Sequence, residues 1–241
     1  MVAVRNTNWL ANLGVYMVPL VERGLLGQLW VQWSGAPGCA APFGGIDKRL
    51  STSPFSLAFP TSSGAMISDF SATASSMGKI ARMDEKGERP PEPIYMTADG
   101  RPSDDPAVAR GEGSVQFTGG MHYGYKGYTI ALWAEALTAA GGGRCTGPDT
   151  PAGQSASLIV IDPQALGGSE TYLAGIDALT SYVKSSRPRE GFDEVRLPGE
   201  KALMKLAAAR RDGLELEDEQ VESLNAVARN NHIEGIPAVP E

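Results

Sequence analysis

A chain of 241 residues with 42% hydrophobic content has room for one large core or two smaller ones, and 20% charged residues is ordinary for a globular protein. Its formal net charge of −7 argues against phosphate-backbone binding as the main task, so no nucleic-acid partner is expected. Two cysteines, Cys39 and Cys145, make no disulfide framework and have no second ligand group at metal spacing, so both are expected to be inert thiols with no metal site.

No stretch is long and apolar enough to span a bilayer, and the start, MVAVRNTNWLANLG, lacks the uninterrupted apolar segment of a secretory signal. No membrane partner and a cytoplasmic location are therefore expected. With 29 glycines and 17 prolines, many turns and short strands should be mixed with helices.

Residues 2–4 suit a strand, and Arg5-Asn6-Thr7-Asn8 reads as a polar loop. Leu13, Met17, Leu20 and Val21 keep helical spacing; Pro19 should kink that helix or mark its first turn, and Gly24 should end it. Residues 27–33, GQLWVQW, alternate like a strand. The segment from Ser34 to Pro60 is loop-rich, with a strand at 55–59 bounded by Pro54 and Pro60. A short strand at 66–70 leads into a helix expected at 71–82. Residues 86–106 carry Pro90, Pro91, Pro93, Pro102 and Pro106 with little apolar periodicity, so they should wrap the surface rather than build core. Asp99-Gly100 marks a turn within them.

Residues 119–140, GGMHYGYKGYTIALWAEALTAA, read as a glycine-rich entry feeding a helix. Ile130, Trp133, Ala134 and Leu137 recur at one-face spacing, and Ala131, Leu132 and Ala136 fill the flanks. A helix apolar on nearly all sides is expected inside a domain. Lys126 sits at the positive end of the helix dipole, an arrangement that costs about 0.3–1 kcal/mol. An anion held by free backbone amides and the ammonium would offset that cost; the alternative is a solvated lysine beside a glycine turn.

Residues 157–161, SLIVI, form the clearest strand, stopped by Asp162-Pro163. A helix should open at Ser169, with Leu173, Ile176, Thr180 and Val183 on one face, and close at Arg187-Pro188. Residues 196–200 then precede a basic helix with Leu203, Leu206 and Ala207 inward and Gly213 as its C-cap. A last helix at 217–229 shows Val221, Leu224 and Ala228 on one side, and the chain after Asn230 should be loose.

Taken together, six of these segments resemble the type-2 malate/L-lactate dehydrogenases. Arg5-Asn6-Thr7-Asn8 is similar to the family's RNxNH segment, and Ala41-Pro42-Phe43-Gly44-Gly45 with Arg49-Leu50-Ser51-Thr52-Ser53-Pro54 to its APxGG…RLGTNP segment. Asp69-Phe70-Ser71 followed by Gly78-Lys79 resembles its DxA…GK region. Asp99-Gly100-Arg101-Pro102 with Asp105-Pro106 resembles its DxxGxPTxDP loop. Gly124-Tyr125-Lys126-Gly127-Tyr128 resembles its GxKGYG helix entry, and Arg196-Leu197-Pro198-Gly199-Glu200 its RxPGE signature. Each piece alone is weak, but six in order across nearly the whole chain are specific.

The resemblance implies an α/β fold that is not a Rossmann domain: a mixed, mostly antiparallel sheet with helices around it. It divides the chain into a cofactor-binding core at 1–195 and a C-terminal helical segment at 196–241. It implies hydride transfer between NAD or NADP and a 2-hydroxy acid, 2-oxo acid or cyclic imino acid, and a homodimer. By the same resemblance, Asp69, Phe70 and Ser71 line the nicotinamide side, Tyr125 and Lys126 contact the cofactor phosphates, and Arg196, Leu197, Pro198 and Gly199 form another wall. Thr52 corresponds to a substrate-side position.

Three departures qualify these expectations. The family's Ser-His-Gly segment, whose histidine exchanges the proton, has no counterpart in this sequence, so an N-terminally truncated form is expected. The alternative is a non-catalytic cofactor-binding remnant or a subunit lacking the proton donor. Trp9 falls where the RNxNH segment puts a histidine, and GTNP is rewritten as Ser51-Thr52-Ser53-Pro54. Of the two histidines, His232 reads as solvated, and His122, before the lysine turn, is a weak candidate for the acid.

Overall fold

A computed structural model describes residues 1–236. In chain order its elements begin with β1 (Val2–Thr7), α1 (Gly14–Val21), β2 (Leu26–Trp33), β3 (Pro54–Thr61), β4 (Gly64–Ser71) and α2 (Met77–Lys86). Short pieces follow: β5 (Tyr95–Met96), β6 (Pro102–Ser103), α3 (Pro106–Arg110), β7 (Ser114–Val115) and α4 (Gly120–Tyr123). Then come α5 (Tyr125–Ala140), β8 (Gln154–Ile161), a 3-10 turn (Pro163–Ala165), α6 (Ser169–Lys184), α7 (Glu200–Asp212) and α8 (Asp218–Asn230). The chain forms two compact units, Met1–Glu200 and Lys201–Glu241.

The first unit is built on a five-stranded sheet of order β1-β8-β2-β3-β4, and every neighbouring pair is antiparallel. This is the mixed α/β architecture with an antiparallel sheet that the sequence led us to expect. Side chains alternate across a pleated sheet, so the register Trp30↔Phe55↔Phe70 puts three aromatic rings on one face. Trp30 and Phe55 stack at 4.8 Å, and Phe55 and Phe70 meet at 4.2 Å; each such pair contributes about 0.5–1.5 kcal/mol beyond area burial. α5 covers this face, packing Ala134, Ile130 and Leu137 on Trp30 and Phe55. On the opposite face Met17 and Leu20 of α1 fill the space above Gly27, where an added Cβ would stand 2.8 Å from each.

Several expectations give way to local physics. β1 runs on through Arg5 and Asn6 rather than stopping at Val4, because a bulge between Val4 and Thr7 absorbs the irregularity and Asn6 takes φ 54°. Pro19 lies late in α1 rather than in its first turn. α2 starts at Met77, not Ser71: the Ser71 hydroxyl bonds the Thr73 carbonyl and the Thr73 hydroxyl the Ser75 carbonyl, diverting the backbone until Ser76 caps the helix. Residues 86–106 do build core. Tyr95 is fully buried beside Ala40, Ile80, Val115 and Phe117, and β5 is the middle strand of a small β6-β5-β7 sheet. Strands of two residues are too short to display an alternating pattern.

The largest correction concerns α5. Leu132 and Trp133 are 44% and 55% exposed, whereas Gly127, Ala131, Ala134, Glu135 and Thr138 form the buried face. Those residues also recur at helical spacing, but they are small or polar, and small residues let the helix sit close to its neighbours. A Cβ on Gly127 would collide with the Ala72 carbonyl. Glu135, the helix's one acidic residue, is buried and accepts the amide and hydroxyl of Thr146 at 3.0 and 2.6 Å.

α6 opens at Ser169, as expected, behind Gly168 and without a side-chain cap, and its Tyr172 hydroxyl donates to the Pro60 carbonyl at 3.0 Å. Thr180 is buried, Leu173 and Ile176 are half-buried, and Val183 is exposed. In α7, Leu203 and Leu206 are half-buried and Ala207 is exposed. Within the second unit Gly213 takes φ 87°, and a Glu217–Gln220 capping box opens α8. Ala228 is buried and Leu224 exposed. The stretch read as loose turns back, the Ile236 amide reaching Asn225 at 2.7 Å; residues 237–241 of that segment lie outside the described residues.

Candidate functional site

β4 is the open edge of the large sheet, and it has a partner outside the sheet. The amide of Ile67 donates to the carbonyl of Pro198 at 3.1 Å, and Gly199 follows at φ 86° with a Cβ position that would collide with the Ile67 carbonyl. Glu200 pins the other end of this segment. One carboxylate oxygen accepts the Leu197 amide at 3.1 Å and the other the Lys184 ammonium at 2.7 Å. The hydrogen bond from Lys184 holds the Glu200 carboxyl below its usual range, and the Leu197 amide adds to this. Arg196 turns to an exposed ion pair with Glu194 at 2.7 Å. Residues 196–199 therefore lie along β4, while the Arg196 guanidinium is engaged at the surface.

The three residues at the end of β4 face different ways. Asp69 lies on the α1 side, and its carboxylate accepts the Gly14 amide at 3.0 Å, meeting the positive end of that helix. Phe70, on the α5 side, is 46% exposed and leans on Phe55. Ser71 is tied to Thr73.

From here a run of backbone bonds crosses to the start of α5. Ala72 donates to the Thr52 carbonyl at 3.0 Å, Thr118 to the Ala72 carbonyl at 2.8 Å and Gly127 to the Thr118 carbonyl at 3.2 Å. Thr52, residues 69–72 and the Tyr125-Lys126 corner are thus brought together, with the 196–199 segment docked on the same strand. This convergence is invisible to sequence spacing.

Much of the backbone at the corner is already engaged. The amides of Tyr123, Gly124, Gly127 and Tyr128 all donate to backbone carbonyls. Beyond the amides of Tyr125 and Lys126 at the start of the helix, what the corner offers an anion is side-chain chemistry. The Lys126 ammonium lies 5.3 Å from the centre of the Tyr123 ring, and Tyr125 packs edge-on to Phe43 at 5.8 Å. Lys126 has no ion-pair partner among the described residues.

Two cavities adjoin this arrangement. One, of about 330 Å³, is lined by Trp33, Cys39, Thr52, Met77 and Gln154. Burial pushes the Cys39 thiol up to about 12, the nearby Lys48 offsetting this only in part, so Cys39 offers a neutral wall rather than a nucleophile. Gln154 also accepts the Leu10 amide at 2.7 Å and so fixes the loop that carries Trp9, whose ring is 79% exposed. The second cavity, about 220 Å³, lies between residues 41–46, β7 and α4 and includes Ser114 and Gln116. Sequence reasoning missed both residues; nothing in their spacing marks them. His122 is exposed on α4 and lines neither cavity, and His232 belongs to the second unit. Among the described residues no helix is long and apolar enough to cross a membrane.

Comparison with known proteins supplies independent findings. The model of a family described as malate/L-lactate dehydrogenase matches residues 1–225. An L-sulfolactate dehydrogenase of Methanocaldococcus jannaschii is 31% identical over 226 residues, 90% of this chain and 62% of that protein. An L-lactate dehydrogenase of Cupriavidus necator is 30% identical over 208 residues, 83% of this chain and 58% of that protein. The chain thus spans about three-fifths of the length of these relatives. A solved sulfolactate dehydrogenase from Methanocaldococcus jannaschii superposes with a TM-score of 0.78 at 29% identity, covering 96% of this chain and 66% of that one.

Proposed function

The chain belongs to the malate/L-lactate dehydrogenase family, and from that premise we propose that it binds NAD or NADP and serves hydride exchange with a 2-hydroxy or 2-oxo acid. The observation that carries this reading is the convergence of Thr52, Asp69, Phe70, Ser71, Tyr125 and Lys126 with the 196–199 segment around the end of β4. A site assembled from residues so far apart in the chain is what a ligand with several distinct parts requires.

The residues present suit such a ligand. Lys126, an exposed cation without a carboxylate partner among the described residues, and the Tyr125 hydroxyl suit its phosphates. Phe70 offers a half-exposed ring, and the Pro198-Gly199 turn an adjacent wall, for the nicotinamide side. Thr52 brings a hydroxyl to the wall of the 330 Å³ cavity, which suits a small acid of the kind that the relatives' names describe. When bound, the nicotinamide supplies the hydride chemistry, and the chain's own task is to bind and orient. Reduction of a carbonyl also requires a proton from a group held on that oxygen. His122 lines neither cavity, and no part in that transfer is assigned to it.

Titration of NADH and NADPH against the full chain, followed by nucleotide fluorescence, tests the reading. Saturable binding that weakens in Lys126→Ala is expected. A well-folded protein that shows no saturable binding of either nucleotide ends the proposal.

A further inference from the structure

The walls of the 330 Å³ cavity say more about its occupant than the presence of Thr52 does. Two large apolar side chains line it. Trp33 ends β2 and is 39% exposed, and Met77 opens α2, half-buried against the core. Both are held in place. The Trp33 amide donates to the Ser51 hydroxyl at 3.3 Å, and its carbonyl accepts the Thr146 hydroxyl at 3.0 Å. Gly35 makes room for the indole, since an added Cβ there would stand 2.5 Å from Trp33 Nε1. Met77 follows the Ser76 cap that starts its helix.

The polar side chains of the wall, Ser51, Thr52 and Gln154, are neutral, and among the described residues no cationic side chain lines the cavity. Cys39 reports on the same surroundings, because burial disfavours its thiolate and pushes the thiol up to about 12. Lys48, which offsets this in part, donates to the Gly111 carbonyl at 2.6 Å. The carboxylate common to 2-oxo and 2-hydroxy acids has donors in the Thr52 hydroxyl and in Gln154 Nε2, since Gln154 Oε1 is taken by the Leu10 amide. A second carboxylate lodged against Trp33 and Met77 would leave water without a partner, which is costly. An apolar group there gains instead, by about 4-fold in affinity per buried methylene. The volume also falls at the small end of the roughly 300–1,000 Å³ of ligand pockets, so a methyl side chain would leave much of it to water.

We propose that this cavity selects an acid whose side chain is uncharged, apolar and larger than methyl, branched or aromatic, with Trp33 and Met77 as the residues that decide the choice. The proposal rests on the reading of this cavity as the seat of the acid, with Thr52 on the substrate side. It divides the acid between two walls: neutral donors at its carboxylate end, indole and thioether at its side chain.

Calorimetric titration of the full chain with lactate, 2-hydroxy-4-methylpentanoate, 3-phenyllactate and malate, with and without saturating NAD or NADP, tests this. The branched acid should bind on the order of 10- to 60-fold tighter than lactate, for its three additional carbons. Phenyllactate should also exceed lactate, and malate should bind no tighter than lactate despite its size. Trp33→Ala should remove most of the preference for the branched acid. Met77→Arg should raise malate affinity about 10- to 100-fold, the range of a hydrogen bond to a charged group, and weaken the branched acid. Met77→Gln, neutral and of similar length, should weaken the branched acid without gaining malate. Thermal melts identify the folded variants, and the ranking of acids by the wild type is a test without them. Malate that binds the wild type as tightly as the branched acid overturns the proposal, as does a ranking unchanged in the folded variants. Nucleotide binding with no binding of any acid also overturns it, and leaves the cofactor reading standing. The expected ranking on a chain that binds neither nucleotide would uphold the cavity and remove the cofactor reading.

Discussion

Pro198 and Ile67 are joined by one backbone hydrogen bond of 3.1 Å, and through it a loop far along the chain closes the open edge of the large sheet. The next residue decides whether the contact survives. Gly199 has φ 86°, and a Cβ there would collide with the Ile67 carbonyl. Gly199→Ala should therefore lose stability, on the order of 1–3 kcal/mol for the backbone strain, at about 2–4 °C of melting temperature per kcal/mol. Thermal melts measure it, and the exchange rate of the Ile67 amide reports the docking itself. A variant with wild-type melting temperature and exchange would show that this contact holds nothing.

Glu200 should give that docking a pH dependence. Its hydrogen bond from Lys184 depresses the folded-state pKa below the ordinary 4.5. The unfolded chain then binds the proton at higher pH than the folded one, so the stabilisation is complete above about 4.5 and is lost as pH falls through the depressed value. Glu200→Gln should flatten stability against pH in that acidic window and leave the neutral-to-basic limb parallel to the wild type. An unchanged acid limb in denaturant titrations would separate Glu200 from the effect.

Asp69 has two separable tasks. Its carboxylate meets the Gly14 amide at 3.0 Å, as a capping group does, and removal of such an acceptor costs about 0.5–2 kcal/mol. Asp69→Ala should melt a few degrees lower, and Asp69→Asn, which keeps an oxygen acceptor, should recover most of that loss. If Asp69 also borders the nicotinamide, Asp69→Asn will weaken NADH binding despite its recovered stability. Equal NADH affinity for the wild type and Asp69→Asn would leave the residue with its helix alone.

The two thiols should differ sharply in reactivity. With Cys39 near 12, about one molecule in 10⁴ carries its thiolate at pH 8. Cys145 is exposed, and its thiol is raised by partial burial and by Glu135. Folded protein treated with a thiol reagent should therefore label at Cys145 first, slowly for an exposed cysteine, and at the half-buried Cys39 later. Mass spectrometry of the modified peptides gives the order, and early labelling of Cys39 would contradict the rise of its thiol.

What the sequence disclosed and what it hid follow from the range of the interactions. Strands such as β2 and β8 announce themselves by alternation or by an apolar run. Ordered motifs such as residues 124–128 and 196–200 pointed to one family and its antiparallel sheet. Contacts that depend on close approach were silent. The buried face of α5 runs through Gly127, Ala131 and Glu135, whereas Trp133, the most hydrophobic-looking residue of the helix, is 55% exposed. Tyr95 enters the core from a proline-rich stretch because two-residue strands carry no period.

Glu135 is the sharpest case of a buried charge with a definite task. It is 7% exposed, yet both carboxylate oxygens are engaged by Thr146, one by the amide and one by the hydroxyl. The Thr146 hydroxyl also lies 3.0 Å from the Trp33 carbonyl, so the pair ties the loop after α5 to the end of β2. Glu135→Ala leaves the Thr146 amide without its acceptor, at a cost of about 1–3 kcal/mol, and should raise the exchange rate of that amide well beyond the change at Ala131 on the same helix. Thr146→Val should destabilise by less, because it removes the hydroxyl donor to one carboxylate oxygen while the backbone amide still reaches the other, and the double variant should lose less than the sum of the two. Strict additivity in that cycle would mean that Glu135 and Thr146 act independently, and that the loop is held elsewhere.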